Sequence, residues 1–159
     1  MGKPPTPTTP PRPGEGKRGE DGHLGYLLRQ AAGAWRNRME RALADLGVTP
    51  PQFSVLTMLA TYPGQSNADL ARLALQTPQT LSVIIANLEK AGSVSRQPHA
   101  IHGRIQHLNL TEHGRALLAR ASERVHALER ELVRGLSHED EQTVRRWLVR
   151  VAAAAVEKG

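Results

Sequence analysis

The chain has 159 residues, 39% of them hydrophobic, and carries 21 Lys and Arg against 15 Asp and Glu for a formal net charge of +6. That length allows one domain with a substantial core, and the basic balance favours polyanionic partners. The absence of cysteine excludes disulfides and thiolate metal sites, no apolar run approaches membrane-spanning length, and the few aromatic residues exclude a stacking platform for single strands.

Residues 1–22 hold six of the eleven prolines, Pro4, Pro5, Pro7, Pro10, Pro11 and Pro13, among Gly, Thr and mixed charge. Such a composition cannot bury enough surface to fold alone, so a flexible Pro-rich tail is expected. Lys3, Arg12, Lys17 and Arg18 would make a basic arm, but Glu15, Glu20 and Asp21 largely cancel it. From His23 to Leu46, Leu24, Leu27, Leu28, Ala31, Trp35, Met39, Leu43 and Leu46 recur at helical spacing, and Gly47 supplies the stop. This helix is long for a small domain, and part of its wide apolar surface is expected to meet a second subunit.

Thr49-Pro50-Pro51-Gln52 reads as a capping box with proline in the first turn. It opens a helix bearing Phe53, Val55, Leu56, Met58 and Leu59, which Pro63-Gly64 closes. Ser66-Asn67-Ala68-Asp69 is a weaker cap that opens a short helix with Leu70, Leu73 and Leu75. Only Gln76 and Thr77 then separate that helix from the next, a spacing that predicts a helix-turn-helix.

Thr77 can cap the following helix, and Pro78 suits its first turn because proline has no N–H to leave unpaired. Leu81, Ile84, Ile85 and Leu88 form one apolar stripe. Gln79, Thr80, Ser82, Val83, Ala86 and Asn87 form the opposite face, which is small, polar and free of acid and so suits insertion into a DNA major groove. Gly92 ends the helix. Val94 to Gln97 and Ile105 to Leu110 read as two strands around a tip at His99 to Arg104, and no acid occurs from Ser93 to Thr111. A recognition helix followed by a basic β-wing is expected. Thr111 caps a long helix reaching about Arg134, with Leu117, Ala121, Val125, Leu128 and Leu132 on one face. Gly135 breaks it, Ser137 with Asp140 restarts it, and the last helix carries Val144, Trp147, Leu148, Val151 and Ala155. The fold expected is mainly α with a small β-wing. Residues 1–22 form the tail, 49–110 a winged helix-turn-helix, and 23–47 with 111–156 a dimerisation layer. A closed monomeric bundle is the alternative for those end helices.

This order resembles the multiple-antibiotic-resistance regulator (MarR) family of bacterial transcription factors over about Leu24 to Val156. The residues that carry the resemblance are Leu46-Gly47-Val48-Thr49 with Gln52 and Phe53, Asn67-Ala68-Asp69-Leu70-Ala71, Leu88-Glu89-Lys90-Ala91-Gly92 with Val94 and Arg96, and above all Gly103-Arg104 followed by Leu110-Thr111 and Gly114. The resemblance implies a homodimer on a pseudo-palindromic operator in double-stranded DNA, with Arg104 in the minor groove. It also implies a small-molecule pocket between the dimer layer and the DNA-binding lobe. Many members carry an acid where His102 stands, and there it braces the wing; His102 cannot do so as a carboxylate.

The DNA-binding residues expected are Ser66, Asn67, Thr77, Gln79, Thr80, Ser82, Val83, Asn87, Arg96, His102 and Arg104. For each the plain alternative is a solvated surface side chain. Tyr26, Trp35, Met39, Phe53 and Tyr62 are candidates to line an effector pocket, with core packing as the alternative. His99, His102 and His107 invite a zinc site, but no cysteine or nearby carboxylate completes a ligand set in the wing, so no metal and no cofactor is expected. No nucleophile-base-acid group, Gly-rich phosphate loop or paired-carboxylate motif appears, so no enzymatic activity is expected. The reading is a ligand-responsive repressor in the cytoplasm. The alternatives are a zinc-responsive regulator and a nucleoid-type binder of low specificity.

Overall fold

The computed structural model describes residues 9–98 and 106–156. His99, His102, Arg104 and Ile105, which the sequence places in the wing, lie outside the described residues. In chain order the elements are helices α1 (Leu24–Leu43), α2 (Pro50–Thr61), α3 (Asn67–Leu73) and α4 (Pro78–Lys90), strands β1 (Val94–Pro98) and β2 (Gln106–Leu110), then α5 (Glu112–Leu132) and α6 (His138–Val156). The expected first helix to Leu46 ends its α-helical run at Leu43, tightens into a 3-10 turn over Ala44–Leu46, and stops at Gly47 with φ +67°.

Local chemistry sets the helix starts. Thr49 and Gln52 form the reciprocal capping box, with Thr49 N donating to Gln52 Oε1 at 2.9 Å. Ser66, Thr77, Thr111 and Ser137 each accept, through the side-chain hydroxyl, the backbone N–H three residues on, at 3.0–3.1 Å. Each satisfies a donor that the helix itself cannot. The strands form one antiparallel hairpin with Val94 opposite Leu110 and Arg96 opposite Leu108.

The apolar residues of these elements meet in one core. Leu43 comes from α1, Val55, Leu56 and Leu59 from α2, Leu70 and Ala71 from α3, Val94 and Leu108 from the hairpin, and Ala121 and Val125 from α5. The predicted stripe of α4, Leu81, Ile84, Ile85 and Leu88, is buried among them. Burial of each such side chain stabilises by about 1.5–3 kcal/mol, so the stripe fixes the rotation of α4 about its own axis.

Four expectations change. Leu75 does not join the apolar face of α3. It stands in the turn to α4 with φ +56° and is 88% exposed, a left-handed conformation that costs a non-glycine residue about 1 kcal/mol. The turn is also longer than expected, running from Ala74 to Thr77. It is held to α2, because Ser54 Oγ and Gln76 Nε2 both donate to the Ala74 carbonyl, at 3.4 and 3.2 Å. Leu132, placed on the core face of α5, is exposed, because the helix runs past the core before it ends. Finally, the described part of the Pro-rich segment, residues 9–22, is largely exposed yet turns at Gly16–Arg18 and touches α1. There Arg18 Nε donates to Gln30 Oε1 at 2.9 Å and Gln30 Nε2 donates to the Arg18 carbonyl at 3.1 Å.

Three long-range ties hold α5 in place. At its N-terminus, Thr111 N donates to the Ser93 carbonyl at 3.1 Å, and Thr111 Oγ1 donates to the Gly92 carbonyl at 2.6 Å. Gly114 packs so closely that a Cβ there would lie 1.9 Å from the Ser93 carbonyl oxygen. Farther along, Arg124 Nη2 donates to Asp45 Oδ2 at 2.8 Å and Nη1 to the Ala42 carbonyl at 3.0 Å, and Arg38 pairs with Glu131. The hydrogen bond from Arg124 holds the Asp45 carboxyl below its ordinary pKa, against an opposing effect of desolvation.

Gly114→Ala should therefore destabilise the fold by about 2–3 kcal/mol, since a methyl group would be forced against a backbone carbonyl; urea denaturation measures this. The Arg124–Asp45 tie has a defined pH window. Because the folded-state pKa is depressed, its contribution is present above the unfolded value and disappears as pH falls through the folded one. The Tm difference between wild type and Arg124→Ala should be constant near neutrality and vanish in acid below the ordinary carboxylate range. A difference that persists there would assign the stabilisation to packing of the Arg124 stem.

Candidate nucleic-acid interface

With its stripe buried, α4 turns one continuous face outward. Gln79, Thr80, Ser82, Val83, Ala86 and Asn87 are all exposed, Val83 by 62%. These side chains are not equally free. Thr77 Oγ1 donates to Thr80 Oγ1 at 2.9 Å within the cap. Ser82 Oγ donates to the Pro78 carbonyl at 3.0 Å, so its proton is committed inside the helix. Among the described residues the amides of Gln79 and Asn87 have no side-chain hydrogen bond. Ser66 and Thr77 are exposed caps, and Asn67 is exposed at the first turn of α3. The N-terminus of α4 has no acid in its first turn, whereas that of α3 carries the Asp69 carboxylate, which accepts from Ser66 Oγ at 2.6 Å.

Arg96 has a partner the sequence did not suggest. From β1 it reaches back to the end of α4, where Arg96 Nε donates to Glu89 Oε1 at 2.9 Å. The pair ties the wing to α4 from outside the core. His107 stands opposite Gln97 in the hairpin. His102 and Arg104 are outside the described residues, and so is His99. Among the described residues no group of three or more His, Asp or Glu is arranged to hold a metal ion, and no helix is long and apolar enough to cross a membrane.

The five aromatic and Met candidates for an effector pocket do not share one surface. Trp35, Met39 and Phe53 pack partly buried against the core. Trp35 also lines an apolar groove of about 660 Å³ between α1, the end of α5 and α6. Tyr26 lies in a different groove with Pro13, Arg18 and Gln30, and Tyr62 is exposed at the end of α2. On α6, Val144, Leu148 and Val151 are 40–44% exposed, and Leu24 of α1 is 69% exposed. These apolar faces border the groove that holds Trp35.

Residues 46–105 match the sequence profile of the MarR family. The HTH-type transcriptional repressor Rv2887 of Mycobacterium tuberculosis is 37% identical over 134 residues, 84% of this chain and 96% of that protein. The crystal structure of Rv2887 in complex with salicylic acid superposes with a TM-score of 0.67 at 37% identity, over 83% of this chain and 98% of that one. The transcriptional repressor CouR bound to a 23-mer DNA duplex superposes with a TM-score of 0.75 at 29% identity, over 82% and 92% of the two chains.

The Arg96–Glu89 pair makes a distinguishable expectation. An arginine that braces the wing through a carboxylate contributes little to counterion release, whereas a phosphate contact adds about one unit to the slope of log affinity against log salt. Arg96→Gln should leave that slope unchanged, and a slope reduced by about one would assign Arg96 to phosphate.

Proposed function

This chain belongs to the MarR family of transcriptional regulators, a family of non-enzymatic DNA-binding proteins, and on that premise we propose that it is a ligand-responsive repressor acting as a homodimer on a pseudo-palindromic operator. The observation that carries the reading is the outward face of α4, an uncharged set of hydrogen-bonding and small apolar groups held in fixed rotation by a buried stripe. In this proposal α4 enters the major groove and Arg104, in the wing, reaches the minor groove. A narrow, A·T-rich minor groove attracts arginine through its negative potential. The exposed apolar faces of α1 and α6 support the dimer, because a two-fold partner covers the same patch on both subunits.

The proposed mechanism is geometric. Two recognition helices must stand about 34 Å apart to enter successive major grooves on one side of the duplex. A ligand that binds better to a different spacing weakens DNA binding by its differential affinity alone. The relative's complex with salicylic acid supports a small aromatic carboxylate as the ligand class.

The test uses the full chain. Light scattering at micromolar concentration should give a dimer. A genomic fragment retained by the protein should bind well above random duplex at the same salt, and salicylate should release it. Equal affinity for random DNA would leave the low-specificity reading. Release by zinc and not by salicylate would leave the metal-responsive one.

A further inference from the structure

The exposed face of α4 lacks what most recognition helices use to read guanine. From Pro78 to Leu88 there is no Arg, Lys, Asp or Glu. The first charged residues are Glu89, engaged by Arg96, and Lys90, the last residue of the helix. Arginine or lysine donating to guanine O6 and N7 is the commonest specific contact in the major groove, and a carboxylate is the usual acceptor for cytosine N4. Neither chemistry is present on this face.

What the face does offer is narrower. The Thr80 hydroxyl accepts from Thr77 and keeps its own proton, whereas the Ser82 hydroxyl gives its proton to the Pro78 carbonyl. The two amides, Gln79 and Asn87, are without side-chain hydrogen bonds, and the exposed Val83 lies between them, four residues from each. A side-chain amide is the group that donates to N7 and accepts from N6 of adenine at once. An exposed aliphatic group in the middle of a DNA-facing helix gains nothing from phosphate or water, but it gains from the C5-methyl of thymine. Gln79 and Val83 are one turn apart, about 6 Å along the helix axis, which is the rise of roughly two base-pair steps.

We propose that Gln79 and Val83 are the specificity-determining pair of α4, and that they read A·T pairs about two steps apart near the centre of each half-site, Gln79 through adenine N6 and N7 and Val83 through a thymine methyl. This rests on the operator-binding reading above and deepens it from "sequence-specific" to a stated base chemistry. Guanine and cytosine are passed over by the helix, and the affinity that cations supply comes from other parts of the protein.

The experiment begins with selection of binding sites from a random duplex pool by the full-length protein. The enriched half-sites should hold A·T pairs at the positions α4 covers. Each thymine of the half-site is then replaced in turn by deoxyuridine, which removes only the methyl group. At one position this should weaken wild-type binding about fourfold, the worth of one buried methyl-sized group. Val83→Ala should lose about as much on the thymine duplex and show no further loss on the uracil duplex. Alanine is a better helix former than valine, so the variant keeps its fold, which thermal unfolding checks. In parallel, 7-deazaadenine should cost the wild type affinity that Gln79→Ala has already lost. Enrichment of G·C pairs at the half-site centre, or equal loss with uracil in wild type and Val83→Ala, would overturn the assignment while leaving a sequence-specific regulator. If no sequence is enriched at all, the operator-binding reading fails and this one with it.

Discussion

The face that α4 presents depends on the face it hides. Leu81, Ile84, Ile85 and Leu88 sit in the core beside Leu56, Leu70 and Val94. Their burial outweighs any preference the outer side chains have for a different rotation, because Gln79, Ser82, Val83 and Asn87 touch little of their own protein. The helix can therefore carry a face chosen for a partner without consulting stability. The same logic explains why Val83 stays 62% exposed although a modest roll of the helix would hide it. That roll would expose an Ile or a Leu in exchange.

Position along the chain's third dimension comes from a second constraint, the junction of α4, the hairpin and α5. Ser93 is fully buried, and its carbonyl accepts from Thr111 N while lying against Gly114. Its hydroxyl has no partner among the described residues, so the residue is held by its backbone and by the lack of room rather than by its side chain. The recognition helix, the first wing strand and the long helix α5 thus meet at a point where no Cβ fits. The Arg96–Glu89 pair adds a second tie between wing and helix on the solvent side. It is an exposed ion pair, so it orients more than it stabilises.

What the sequence made legible was local. Thr49 with Gln52, Ser66, Thr77, Thr111 and Ser137 announce helix starts because their partners lie three residues away, and a reader of the chain can count three residues. The stripe of α4 was legible for the same reason, as was the hairpin between Val94 and Leu110. The pairs Arg18–Gln30, Arg124–Asp45 and Arg96–Glu89 were not, since nothing in the spacing of two charged or amide groups says that folding will bring them together. Leu75 escapes such counting because periodicity assigns a leucine to the nearest apolar face, and the left-handed turn that removes it has no signature when the residue is not glycine. For the outer residues of α4, spacing shows the side of the helix they occupy but not their availability. Only the hydrogen bonds of Thr77, Thr80 and Ser82 separate engaged hydroxyls from the free amides of Gln79 and Asn87.

These ties give α5 a role beyond its own burial. It has 21 residues, a span of about 31 Å. Its first turn is locked to the base of the recognition helix through Thr111 and Gly114, and its middle and end are locked to α1 through Arg124 and Glu131. The groove beside Trp35, with the exposed faces of α1 and α6, lies at the far end of the same helix. A packed helix moves as a body, because its interior has no slack to absorb a displacement. Packed against α1 and α2 and tied to the base of α4, α5 therefore joins the α1 side of that groove to the position of α4. The α4 face itself takes its rotation from the stripe packed along the helix. Where α4 stands and which face it shows therefore rest on different contacts, the first on the ties of α5 and the second on four buried side chains.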